Sequence, residues 1–263
     1  PAAPSALERS IRRDRVWVGA GLAVTIALAW IQLVRTAASM SAMTAEAQMH
    51  AAMGMADMRM WGASDFVGLF AMWSVMMVAM MLPSAAPVIL LVLNVYRRRD
   101  NPRARVAALA FVAGYLLSWT MFSAAAAAGQ VGLHRTALLA ADMRLDSAAL
   151  SGGILVLAGV YQWLPPKNWC LSHCQSPFGF LSRYWREGAI GGLAMGVRHG
   201  LFCVGCCWLV MSVLFVVGIM NLVWVAALAG FVLIEKLVPR GRAFSRAAGI
   251  VIGVWGLYLF VAA

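Results

Sequence analysis

Apolar residues run along this chain in long blocks separated by short basic or polar stretches. Blocks at 16–36, 65–96, 106–128, 148–164, 188–213, 219–237 and 243–261 predict seven helices that approach or exceed the ~20 residues needed to cross a bilayer core. The run from 188 to 237 contains no charged loop. One helix of that length would be roughly 75 Å long, so the run reads as two tightly joined helices. Pro165 and Pro166 stop the fourth block, and Pro83 and Pro87 interrupt the second, where freed carbonyls need cover from neighbouring helices or water. The fold class expected is therefore all-α, a polytopic transmembrane bundle of about seven spans. The first apolar run is already span-length and no small-residue cleavage site follows it, so no cleavable signal peptide is expected.

Composition agrees with this pattern. The 263 residues are 63% hydrophobic and 12% charged, against about 25% charged in soluble domains. The formal charge of +11 is held in short blocks beside the spans. These are Arg9, Arg12, Arg13 and Arg15; Arg97, Arg98, Arg99, Arg103 and Arg105; Lys167, Arg183 and Arg186; and Lys236, Arg240, Arg242 and Arg246. All four fall on one side when the N-terminus is inside and the C-terminus outside. Such blocks suit topology control and contact with anionic membrane lipid; none resembles a nucleic-acid reader. The organisation expected is a cytoplasmic tail (1–15) and a single bundle (16–262). An outer Met-rich loop covers 37–64, and an inner Cys- and aromatic-rich interfacial segment covers 165–187.

The chemistry concentrates in Met195–Trp208, MGVRHGLFCVGCCW. On a helix, Met195, His199, Cys203 and Cys207 recur at four-residue spacing with Cys206 beside them, so the soft side chains share one face. Thiolate, thioether and imidazole suit Cu(I); cysteine with histidine also suits zinc. Cys203 and Cys206 have redox-dithiol spacing as well. Single cysteines are common as small core residues; three within five residues, one turn after a histidine, favour a site. Arg198 points to another face, towards lipid phosphate or Glu235. In the second span Met72, Met76 and Met80 share a stripe with Met77 and Met81 alongside. Helical rise places this stripe and Cys203–Cys207 in the same outer half of the membrane, a basis for one shared site. Methionines 40, 43, 49, 53, 55, 58 and 60, with His50, make the outer loop a candidate for low-affinity copper capture. On the inner side, Cys170, His173 and Cys174 could form a second metal site or redox pair, or simply pack at the interface.

These residues resemble an uncharacterised bacterial family of predicted metal-binding integral membrane proteins. The resemblance rests on Met72, Met76, Met77, Ala79, Met80, Met81 and Pro83; on Cys170 and Cys174; and on His199, Gly200, Cys203, Gly205, Cys206, Cys207 and Trp208. It continues through Gly218–Leu222 and Glu235–Lys236, covers about 63–237, and implies metal binding in the bacterial inner membrane without a reaction. The expectation is a protein that binds and handles soft metal, copper above all. It would deliver the metal to a membrane or periplasmic protein partner or move it across the membrane. Two alternatives stay open: an accessory or structural subunit of a membrane metalloenzyme complex, and a membrane thiol–disulfide oxidoreductase using Cys203 and Cys206. A hydrolase is disfavoured because Asp65 and Glu235 stand near opposite ends with no acid–base partner beside them.

Overall fold

The structure, a computed structural model, describes the backbone of residues 6–52, 63–99, 103–136, 138–140 and 143–262; side chains at 6–11, 43–48, 50–52 and 63 are not described. The described residues form α1 (Ala6–Ala52), α2 (Ala63–Arg98), α3 (Ala104–Arg135), α4 (Ala148–Tyr161), α5 (Pro165–Gln175), α6 (Pro177–Tyr184), α7 (Gly188–Ser212), α8 (Leu214–Val217), α9 (Leu222–Leu237) and α10 (Gly241–Val261). They include no strand beyond an isolated bridge between Leu139 and Leu145.

Five stretches are long and apolar enough to cross a membrane: Arg12–Ala42, Ser64–Arg98, Ala104–Arg135, Gly188–Val217 and Gly241–Val261. A sixth arises if α4 and α5, bent by 62° at Pro165, count as one broken span. The sequence pattern led to seven because it counted α4 and α9 as full spans. With 14 and 16 residues they rise roughly 21 and 24 Å, short of a ~30 Å hydrocarbon core. A second difference concerns the Met-rich segment. Helix α1 continues to Ala52, so its first part is helical, not loop. His50 lies on that helix with its side chain outside the described ones, and Met53, Met55, Met58 and Met60 fall wholly outside the described residues.

Small residues set the closest helix contacts. Gly192, Gly196 and Gly200 make a rail along α7 on which α3 lies. A Cβ at Gly196 would run into the Phe111 carbonyl, and one at Gly200 would lie 2.6 Å from Ser118. Close backbone approach of this kind is how helices pack where apolar burial gives them little reason to associate. Ser118 Oγ then donates to the Val197 carbonyl across the same seam at 3.0 Å. Helices α4 and α10 meet in the same way at Gly159 and Gly249. Gly218, with φ of +96°, turns the chain from α8 into α9, whose first turn is capped by the Asn221 side chain accepting from Trp224 N–H.

Polar ties close both ends of the bundle. Asp14 on α1 is buried between Arg97 and Arg105, joining α1 to the adjacent ends of α2 and α3. At the other end Trp73 Nε1 donates to Gln130 Oε1 at 2.8 Å, and Trp73 packs on Phe122 and Phe215. Outward faces remain apolar: Ile190, Leu201, Val223, Val251, Val254 and Tyr258 are all exposed.

Candidate metal centre

The α3–α7 seam brings Tyr115 and Cys203 together. Tyr115 Oη lies 3.1 Å from Cys203 Sγ and donates to the Met81 carbonyl of α2 at 3.0 Å. That carbonyl also accepts from Ser84 Oγ at 2.8 Å, next to the Pro83 interruption. From α9, Lys236 extends its ammonium to 2.6 Å from Cys203 Sγ and 3.4 Å from Ser84 Oγ. Cys206 Sγ is 3.3 Å from Cys207 Sγ and 3.2 Å from the Cys203 carbonyl. Cys207 lies close enough to Cys203 to act on it electrostatically. From α5, Cys174 is brought beside Cys203 and Cys206, within the same reach. Five helices thus meet at four buried sulfurs and one buried ammonium.

The residues singled out in the sequence separate into three groups. Cys203, Cys206 and Cys207 do share a face, and Cys174, expected in a second inner cluster, joins them. His199 is buried one turn before Cys203, its ring among Phe111, Tyr115 and Phe180, and its Nδ1 has no hydrogen-bond partner. Cys170 and His173 make other contacts. Cys170 Sγ packs against the Gly205 backbone, while His173 stacks on Phe202 at 4.2 Å with Nδ1 2.9 Å from the Trp169 carbonyl. Met72, Met76 and Met80 are all buried in the bundle. Helical geometry puts Met77, Met80 and Met81, which precede Ser84 by seven, four and three residues, on the face of Ser84 that meets Lys236. Met72 lies further off, beside Trp73 at the Gln130 end.

The thiols are level with Tyr115 and Ser84, roughly 16–23 Å along α3, α2 and α7 from Ala104, Arg98 and Gly188. One pairing differs from the sequence reading. Arg198 does not pair with Glu235; its guanidinium lies 4.4 Å from the Tyr184 ring centroid. Glu235 instead contacts Lys167 at 2.6 Å, with both side chains fully buried. Gln175 Nε2 donates to the Glu235 carbonyl at 2.8 Å, fixing α5 against α9 one residue from Lys236.

Lys236, Tyr115 and Ser84 do not stand out in the sequence as site residues. One signal was present: Lys167 and Lys236 are the only two lysines among 21 Lys and Arg residues. An arginine-rich chain that places both lysines inside its bundle uses them differently from its surface charges.

Among the described residues, no group of three or more His, Cys, Asp or Glu side chains is arranged to hold a metal. Cys206 Sγ and Cys207 Sγ, at 3.3 Å, stand closer than the ~4.6 Å of a linear sulfur–metal–sulfur unit with bonds of ~2.3 Å. The chemistry of the donors nevertheless fits a soft monovalent cation: four thiols, an unpartnered imidazole nitrogen and a thioether-rich wall. Fold and centre together define a helical bundle with a buried thiol cluster. The profile of the PpoB2 family, described as copper chaperone, matches residues 70–259. The chain therefore belongs to the PpoB2 copper chaperone family. No curated protein and no solved structure matches it.

Proposed function

We propose that this protein takes up Cu(I) in the bacterial inner membrane, holds it at the buried centre and passes it to a membrane or periplasmic protein partner. The observation carrying this reading is the convergence of Cys174 from α5 with Cys203, Cys206 and Cys207 from α7. Copper is the cargo. Two or three sulfurs suffice for Cu(I), so the four thiols offer a choice of ligand pairs and a route for exchange. His199 Nδ1 and the Met77, Met80 and Met81 face are secondary donors. Met72 and Met76 line the approach from the Trp73 end, and His50 with the Met-rich segment gathers copper before it enters. Uptake requires the thiols to separate by about an ångström, given a ~2.3 Å metal–sulfur bond. Zinc remains chemically compatible with the same cysteines.

The membrane setting is supported by the five apolar stretches and by the exposed Ile190, Val223, Val251 and Tyr258, a surface that lipid would cover. In this reading the Arg-rich ends of α2 and α3 face the cytoplasm, as does the N-terminus.

Elemental analysis of the full chain purified from copper-replete cells tests the function. About one tightly held copper per chain is expected, and the Cys203→Ser/Cys206→Ser double variant should release it. Zinc at full occupancy without copper, or metal-free protein with intact thiols, would overturn the reading.

A further inference from the structure

The ammonium at the centre is as distinctive as the thiols. Lys236 is buried, and its Nζ is 2.6 Å from Cys203 Sγ and 3.4 Å from the Ser84 hydroxyl. The adjacent carboxylate, Glu235, is already engaged with Lys167 at 2.6 Å. The Lys236 charge is therefore directed at sulfur, although a carboxylate stands one residue away.

We propose that Lys236 is the counter-cation of a two-thiolate copper(I) centre, a proposal that rests on the copper reading above. The reason is electrostatic. One Cu⁺ with two thiolates carries a net charge of minus one, and an unbalanced charge inside a membrane bundle is costly. Two thiolates, one cuprous ion and one ammonium sum to zero, and any thiol proton displaced on loading leaves to water. A single thiolate with neutral His199 or methionine would already be neutral with Cu⁺, and the ammonium would then leave a surplus positive charge. Lys236 thus selects the two-thiolate form over mixed thiolate–thioether or thiolate–imidazole forms. Cys203, whose sulfur lies 2.6 Å from Lys236 Nζ, supplies one of the two thiolates. The second comes from Cys174, Cys206 or Cys207, the thiols brought beside it. Lysine suits the role better than arginine because its compact charge reaches a crowded sulfur without needing planar, two-point pairing.

The test is competition for Cu(I) between the full-length protein in detergent and a chromophoric cuprous chelator. Lys236→Met should weaken binding about 100-fold, the scale expected for removing one member of a buried charge pair. Lys236→Arg, which retains the charge, should recover at least about tenfold of that loss. Nitrogen-15 lysine labelling gives a second readout that needs no variant, since the chain has two lysines. The Lys236 signal should move on adding Cu(I) and remain that of an ammonium, while the Lys167 signal moves less. Lys236→Met protein that holds Cu(I) as tightly as wild type would overturn the proposal and leave the copper function standing. So would a Lys236 signal that ignores copper or becomes that of a neutral amine. Wild-type protein that holds no Cu(I) would overturn the function along with it.

Discussion

The bundle buries charge at its rim and at its centre, and handles the two differently. At the rim, Asp14 is held by Arg97 and Arg105, whose own side chains stay 21% and 48% exposed. Solvent shares the cost of those charges, and the pair of guanidiniums works as a staple between α1 and the α2–α3 ends. At the centre, Lys167 and Glu235 are both fully buried, and Lys236 faces a sulfur in place of a carboxylate. Nothing there is shared with water. Buried pairs seldom add net stability over an apolar replacement, yet breaking one is expensive. Central charge is thus a poor way to build a bundle and a good way to hold a particular geometry around Cys203. The rim arginines secure the fold, and the central lysines shape the site.

The largest effect should come from breaking the central pair on one side. Glu235→Gln leaves the Lys167 charge buried without its partner and should cost about 3–5 kcal/mol, read as a fall in thermal stability in detergent. The Lys167→Met/Glu235→Gln double variant should recover most of that loss. A single variant as stable as wild type would remove the contrast between centre and rim. Next comes Cys174→Ser, which removes the thiol that α5 brings beside Cys203 and Cys206 and should weaken Cu(I) binding about tenfold. Cys170→Ser, four residues earlier on the same helix but packed on Gly205, should leave binding unchanged in the same chelator competition. Equal effects from the two would place the whole α5 segment, rather than Cys174, in the site. The smallest effect should be at the rim: Asp14→Asn should lower the melting temperature by a few degrees at most and leave Cu(I) affinity unaltered. A fall as large as that of Glu235→Gln would show that the rim, too, is held by unshared charge.

The fold and the thiol face could be read from the chain before folding; the charge contrast could not. The helical class, the apolar stretches and the shared face of Cys203, Cys206 and Cys207 follow from local periodicity, which a single helix obeys wherever it packs. Cys174 joining that face does not, because it depends on the bend at Pro165 that returns α5 against α7. The same bend left Cys170 and His173, its neighbours in sequence, on other contacts. In the sequence Lys236 reads as part of a basic block marking the inner side. A lysine one residue from the end of a helix carries no local sign that the helix is short and ends inside the bundle. The structure has five stretches of spanning length, or six with the α4–α5 pair as one broken span, because α4 and α9 are apolar but short. Glu235 was one of two partners the sequence offered Arg198, and the structure gives Glu235 to Lys167 instead, through α5.

The central claim, that cysteines distant in sequence form one soft cuprous site, is tested most directly by X-ray absorption on wild-type protein loaded with one equivalent of Cu(I). The account predicts a low-coordinate cuprous edge with sulfur dominating the first shell at ~2.2–2.3 Å, extended from the usual metal–thiolate scale. The Cys174→Ser variant should retain sulfur but bind more weakly. A first shell made of nitrogen or oxygen, or a spectrum unchanged when Cys203 and Cys206 are both replaced by serine, would contradict it.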